Sequence, residues 1–362
     1  MEGRVFNFSA GPAGLPLPVL EKAQQELLIY PGAGASVLEM SHRSKAFDEI
    51  HAGAKAGVAK LLNLPDNYVV LFVQGGASLQ FSMLAMNFLA GKTADYIDTG
   101  AWSSKAVSEA KKHGSPKVIW TGKAENYVRV PQNDELPLNT DAAYVHYCAN
   151  ETIQGVEFFH TPEVHGKPLI CDISSSFMSR PLDITQYAML YAGAQKNIGP
   201  SGMAVVILRK DLLEHVPAGL PSLLDYKVLA DNDSLYNTPP CFGIYMVKLV
   251  TEWLINDIGG LEKMEALNRQ KAGLLYDAID GSNGFYKGHA HKEYRSLMNV
   301  TFTLPNEALE KDFVKQATAQ GMVELKGHRS VGGCRASIYN AMPLAGCKAL
   351  ADFMGEFAKK NG

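Results

Sequence analysis

Apolar runs recur along the first two thirds of the chain, each leading into small or polar residues. The clearest is Tyr68-Val69-Val70-Leu71-Phe72-Val73, which passes through Gln74-Gly75-Gly76-Ala77-Ser78 into a stretch of helical spacing, Leu79 to Met86. A run with no polar alternation is the mark of a strand covered on both faces. Lys117–Trp120, Ala143–Cys148, Pro168–Cys171, Tyr187–Tyr191 and Met203–Leu208 read the same way, and helical spacing at Ser104–Lys112 lies between two of them. Strands alternating with helices confine the chain to the α/β class, with a mainly parallel sheet between helices.

Beyond the Gly259-Gly260 break, Leu261 to Ile279 is a long amphipathic helix that reads as the hinge into a smaller α/β unit. That unit has a strand at Met298–Leu304, a helix at Glu307–Gln320, a strand at Arg335–Tyr339 and a closing helix at Leu344–Lys360. At 362 residues the chain is long enough for two domains. The expected division is an irregular N-terminal arm over 1–15, a large domain over 16–260 and a small C-terminal domain over 261–362.

A net charge of −3 gives no electrostatic reason to propose nucleic acid or an anionic membrane as partner. The N-terminus lacks the basic and apolar regions of a signal peptide, and no apolar run is long enough to span a bilayer. The five cysteines, Cys148, Cys171, Cys241, Cys334 and Cys347, are odd in number and scattered, which argues against a disulfide framework or a zinc site and fits a cytoplasmic protein.

The chemistry-bearing residues stand at strand ends. Lys196 lies between two apolar runs in the frame Gly193-Ala194-Gln195-Lys196-Asn197-Ile198-Gly199-Pro200. A lysine in such a setting suits a lowered pKa and Schiff-base chemistry. Strand, glycine turn and helix start at 68–79 form an anion-binding geometry, because free backbone N–H groups and the helix dipole point at one place. Asp172 ends the Pro168–Cys171 run, where an open α/β sheet places functional groups. Trp102 follows a short strand on what reads as a loop and suits covering a flat ligand. Two look-alikes fail: Gly91-Lys92-Thr93 has Met86 where a P-loop needs glycine, and Gly32-Ala33-Gly34 is followed by Val37 where a dinucleotide loop needs a small residue. A lysine, a carboxylate for a pyridine nitrogen, a phosphate cradle and a covering aromatic are together what pyridoxal phosphate requires.

Longer motifs sharpen this. Asn7-Phe8-Ser9-Ala10-Gly11-Pro12-Ala13, Met40-Ser41-His42-Arg43-Ser44, Asn150-Glu151-Thr152-Ile153-Gln154-Gly155-Val156-Glu157, Tyr236-Asn237-Thr238-Pro239-Pro240 and Arg335-Ala336-Ser337-Ile338-Tyr339-Asn340-Ala341-Met342-Pro343 stand beside the segments already quoted. With them the chain resembles, over essentially its whole length, the phosphoserine aminotransferase family of class V, fold-type I pyridoxal phosphate enzymes. The resemblance implies a large domain with a seven-stranded, mainly parallel sheet and a smaller C-terminal α/β domain. It implies that Lys196 forms the Schiff base, Asp172 pairs with the pyridinium nitrogen, Trp102 stacks on the ring and Thr152 contacts the phenolic oxygen. Gly76, Ala77 and Gln195 would hold the phosphate, and Asn237 and Thr238 would reach it from the partner subunit of a homodimer. Ser9 and Arg43 fall at positions the family uses for the amino-acid substrate.

Substrates with a carboxylate and a second anionic group need two cationic sockets, and the arginine fork suits both carboxylate and phosphate. The chain offers two His-Arg pairs and Arg335. Arg335 is assigned to the α-carboxylate, and His42, Arg43, His328 and Arg329 to the phosphate or the glutamate side chain. The expected reaction is ping-pong transamination between L-glutamate and 3-phosphohydroxypyruvate, giving phosphoserine and 2-oxoglutarate in serine biosynthesis. The phosphorylated four-carbon oxo acid of pyridoxine biosynthesis is a further expected substrate. The competing readings are an alanine–glyoxylate-type aminotransferase, a cysteine desulfurase using Cys334, and a non-catalytic binding module on the same fold.

Overall fold

The computed structural model describes residues 3–362. Helices α1 (Leu17–Glu26) and α2 (Lys45–Leu61) precede strand β1 (Tyr68–Gln74). Then follow α3 (Ala77–Leu84), β2 (Thr93–Asp98), α4 (Ala101–Ala110), β3 (Ser115–Thr121), β4 (Val145–Cys148), β5 (Leu169–Asp172), β6 (Met189–Gly193) and β7 (Met203–Arg209). These strands form one seven-stranded sheet in the order β1-β7-β6-β5-β4-β2-β3. Strand β7 is antiparallel to both its neighbours, and every other pair is parallel. The connection from β6 to β7 is too short for a crossover, so the chain must double back there.

The apolar runs are buried on both faces, as their composition requires. Tyr68, Val70 and Phe72 of β1 enter one apolar core, and Leu71 and Val73 enter the core on the other face. On the first face α2 presents Phe47, Ile50, Ala54 and Val58, all fully buried, and packs on α6 (Cys241–Trp253). Contact between these helices depends on Gly57: a Cβ there would stand 2.2 Å from Thr251 Oγ1. Ser44 caps α2, its Oγ accepting the Phe47 N–H at 3.2 Å. The short helix α5 (Tyr226–Asp231) lies between β7 and α6 in sequence.

Past Gly260, α7 (Leu261–Asp280), β8 (Lys287–Gly288), β9 (Asn299–Thr303), α8 (Glu307–Ala319), β10 (Cys334–Ser337) and α9 (Leu344–Asn361) surround a core of their own. Its centre is aromatic, with Phe313 5.0 Å from Phe353 and 5.2 Å from Phe357 between ring centroids. The N-terminal arm is tied to this unit: Phe6 and Asn7 pair in parallel with Met322 and Val323, and Phe8 is buried in the same core. No helix among the described residues is long and apolar enough to cross a membrane.

Two expectations of local structure change. The helix read at Ser104–Lys112 begins at Ala101, so Trp102 stands in its first turn rather than on a loop. Lys210–His215, where the sequence also reads as a helix, is a 3₁₀ turn.

One buried lysine ties α7 to the end of β10 within the C-terminal unit, beside a hydrogen-bonded link to the first unit. Lys271 of α7 is fully buried, and its Nζ donates to the carbonyls of Ile338 at 3.0 Å and Tyr339 at 2.8 Å, with no carboxylate partner. Nearby, Asn268 Nδ2 donates to Asn340 Oδ1 at 2.9 Å, and the Asn340 N–H donates to Asn197 Oδ1 at 2.9 Å, beside Lys196. Lys271→Met leaves buried carbonyls without a donor and is expected to cost about 2–4 kcal/mol. Burial lowers the Lys271 pKa to about 8. The unfolded chain then holds this proton at a higher pH than the native one, so the parent gains stability from this group as pH rises from about 8 toward the ordinary lysine value. The deficit of Lys271→Met, read from urea unfolding, should therefore be larger at alkaline than at neutral pH. An equal deficit at both would contradict the assignment of the titration to Lys271.

Candidate active site

The parallel strands direct their carboxyl ends to one edge of the sheet, where ligands of open α/β sheets bind. Glycines 75 and 76 follow β1, Trp102 follows β2, Thr152 follows β4, Asp172 ends β5 and Lys196 follows β6. All line one cavity of about 320 Å³, together with His328 and Arg335 from the C-terminal unit.

Lys196 is partly buried, and its Nζ donates to Thr152 Oγ1 at 2.7 Å. Burial lowers its pKa, with Asp172, Cys148 and Glu151 pulling in the opposite sense. The Lys196 nitrogen also stands 5.5 Å from the centre of the Trp102 ring. Asp172 is only 6% exposed. One of its oxygens accepts from the Ser174 N–H at 2.9 Å and from Ser174 Oγ at 2.6 Å. The other takes no hydrogen bond from the described residues. Ser174 is itself held by the Gly193 N–H, which donates to its Oγ at 3.0 Å. Burial raises the Asp172 pKa and Lys196 draws it back, so the two form a coupled pair.

Also lining the cavity, α3 begins with no side-chain cap, and the Ala77 and Ser78 N–H groups find no partner among the described residues. These are orphan donors at a positive dipole end. Lys105 of α4 adds positive charge there, donating to Ser78 Oγ at 3.1 Å. Gln195 lines the same cavity, its carbonyl accepting the Ala13 N–H at 2.9 Å.

Arg335 of β10 is partly buried, forms no ion pair among the described residues, and its side chain donates there only from Nη1, to the Thr152 carbonyl at 3.4 Å. An unpaired guanidinium in a cavity is a socket for an incoming anion. His328 borders the same space, with Nδ1 2.7 Å from Ser330 Oγ. Burial and the neighbouring Arg335 and Arg329 lower its pKa.

The residues present fit pyridoxal phosphate on observations independent of family. The N–H pair on α3 is open, one oxygen of the buried Asp172 takes no hydrogen bond from the described residues, and the Trp102 Nε1 is buried without a partner among them. The lysine lines the same cavity.

Other expected residues stand elsewhere. Arg43 and Arg329 are exposed, His42 is partly buried, and none of the three lines the cavity. Ser9 is next to it rather than in it, its Oγ accepting the Gly11 N–H at 3.4 Å. Asn237 and Thr238 lie in the segment before α6, where the Thr238 carbonyl accepts from Gln74 Nε2 at 3.1 Å.

Sequence reasoning did not single out Lys105, Ser174 or Glu151. Spacing could have found two of them: Lys105 follows Trp102 by one helical turn, and Ser174 follows Asp172 by two residues, the offset of a side-chain-to-backbone turn. Glu151 is fully buried and accepts from the Trp102 and Ser103 N–H groups, both at 2.9 Å. Burial pushes its pKa up to about 7 against the pull of those donors.

The Aminotransferase class-V family model matches residues 5–350. The chain is 56% identical to the phosphoserine aminotransferase of Geobacillus kaustophilus over 361 residues, 99% of each chain. Among solved structures, the phosphoserine aminotransferase from Bacillus circulans subsp. alkalophilus superposes with a TM-score of 0.97 at 52% identity, covering 99% of both chains. The PLP-bound phosphoserine aminotransferase from Trichomonas vaginalis superposes with a TM-score of 0.92 at 43% identity, over 97% of this chain and 99% of its own. A family model spanning nearly the whole chain, with relatives above half identity from end to end, makes this chain a member of the class-V aminotransferases, on the branch of the phosphoserine aminotransferases.

Proposed function

We propose that this chain transfers the amino group of L-glutamate to 3-phosphohydroxypyruvate, with pyridoxal phosphate as cofactor. The observation that carries the reading is one cavity holding a pKa-lowered lysine, a buried carboxylate, an open helix N-terminus and an unpaired arginine. Bound there, pyridoxal phosphate supplies an aldehyde that condenses with amines and a ring that accepts the electron pair released at the substrate Cα.

The chain's own groups do the rest. Ala77, Ser78 and Gln195 would hold the cofactor phosphate, Asp172 would pair with the ring nitrogen, and Trp102 would cover the ring. Lys196 would anchor the cofactor and then carry the proton at the substrate Cα. Burial lowers its pKa and so favours the free amine, and Thr152 aims it. Arg335 takes the α-carboxylate of both substrates in turn. His328 and Arg329 serve the second anionic group, which in one half-reaction is a phosphate and in the other a carboxylate.

His42, Arg43, Asn237 and Thr238 line nothing in their own chain's cavity, and Arg43 and Thr238 are exposed. We assign them to the cavity of a second copy, which makes the working unit a homodimer with shared sites. The alternatives find no such support. Cys334 is buried at the start of β10, and burial pushes its thiol up to about 12, the reverse of a desulfurase thiolate.

The test is spectroscopic. L-Glutamate should bleach the visible absorbance of the loaded protein and release 2-oxoglutarate, and 3-phosphohydroxypyruvate should restore the band with formation of phosphoserine. Restoration by glyoxylate but not by 3-phosphohydroxypyruvate would move the chain to another class-V specificity.

A further inference from the structure

Two helices start beside the cavity, and their N-termini are treated in opposite ways. The first amides of α3 are free. Those of α4 are all consumed, by one short segment of chain some fifty residues downstream. The Ala101 N–H donates to Gln154 Oε1 at 3.4 Å, and the Trp102 N–H donates to Glu151 Oε2 at 2.9 Å. The Ser103 N–H and Oγ both donate to Glu151 Oε1, at 2.9 and 2.7 Å. Glu151 is 0% exposed and has no ion-pair partner among the described residues, so its carboxylate is held by the helix N-terminus and by the Ser103 hydroxyl. The carboxylate seats itself where α4 has no side chain: a Cβ on Gly100 would lie 2.6 Å from Glu151 Cδ.

The next residue carries the chemistry. Thr152 Oγ1 accepts from Lys196 Nζ at 2.7 Å, and the Thr152 carbonyl accepts from Arg335 Nη1 at 3.4 Å. One dipeptide therefore grips the helix that bears Trp102 on one side, and Lys196 and Arg335 on the other.

We propose that Glu151 is a positioning residue of this site: its carboxylate fixes the first turn of α4, and with it the Trp102 ring, in register with the Thr152–Lys196–Arg335 contacts. It acts through Trp102 and Thr152 and touches neither cofactor nor substrate. The same carboxylate occupies the α4 dipole end, which leaves α3 as the helix start open to the cofactor phosphate. The inference rests on the reading of this cavity as a pyridoxal phosphate site.

Glu151→Gln tests it with little change of volume. The glutamine amide turns one acceptor into a donor facing backbone N–H groups, a buried mismatch. The expected results are a dissociation constant for pyridoxal phosphate raised about tenfold, as for a lost helix cap, and a reduced visible circular dichroism of the bound cofactor. In a Trp102→Ala background the same substitution should add less than about twofold, because the ring it positions is gone. A dissociation constant and visible dichroism matching the parent, with only the melting temperature lowered, would reduce Glu151 to a stability element. Full additivity with Trp102→Ala would overturn the route through the ring. If Glu151→Gln does not fold, Glu151→Asp, which keeps the charge and withdraws it from the α4 amides by one methylene, decides on the same two readouts, with a smaller effect expected. A parent chain that takes up no cofactor sinks the functional reading and this inference together. A parent that binds it while the variant binds equally well sinks the inference alone.

Discussion

Lys196→Ala is expected to leave the fold standing and remove turnover. The side chain makes one hydrogen bond, to Thr152 Oγ1, and its burial opposes its own charge. Its loss should change stability by less than about 1 kcal/mol in either direction. Its chemistry has no substitute in the cavity. The other basic side chains there are Arg335, which does not give up its proton, and His328, which is tied to Ser330. Loss of a positioned proton carrier costs about 10²–10⁴ in rate, and loss of the nucleophile adds to it. Turnover with L-glutamate and 3-phosphohydroxypyruvate should therefore fall by at least about 10⁴. A small primary amine added to the assay should return part of it. Steady-state turnover within tenfold of the parent, without added amine, would remove Lys196 from the mechanism.

The parts of this site that could be read from sequence are those fixed by strand ends. Asp172, Thr152 and Lys196 each follow an apolar run, and a run buried on both faces delivers its last residues to the sheet edge. The parts that could not be read depend on contacts distant in the chain. Trp102 reads as a loop residue because Gly100 offers no local cap. The helix starts there because Glu151 supplies the missing acceptors from across the sheet edge. The arginines divide the same way. Arg335 stands on a strand that enters the cavity, whereas Arg43 and Arg329 sit at exposed turns whose use depends on what packs against them. Nothing in a turn's composition tells a solvated arginine from one awaiting an anion.

That division makes Arg335 the second position where a large effect is expected. Its guanidinium is partly buried with no carboxylate beside it, so the site carries the desolvation cost of a cation before any substrate arrives. The substrate α-carboxylate removes that cost by a two-point contact. Truncating one partner of such a pair costs about 2–5 kcal/mol, or about 30- to 5,000-fold in kcat/KM. Arg335→Leu should lower kcat/KM by this range for L-glutamate and, by a similar factor, for 3-phosphohydroxypyruvate, since both present an α-carboxylate. Cofactor affinity should stay near the parent value, because Arg335 makes no hydrogen bond to the α3 amides or to Asp172. Arg43→Glu and Arg329→Glu should behave differently, falling hardest on the phosphorylated substrate, whose phosphate carries more charge than the glutamate side chain. Single-turnover rates for the two half-reactions separate the cases. A loss confined to one half-reaction in Arg335→Leu would mean that the α-carboxylates bind elsewhere and that Arg335 serves the second anionic group instead.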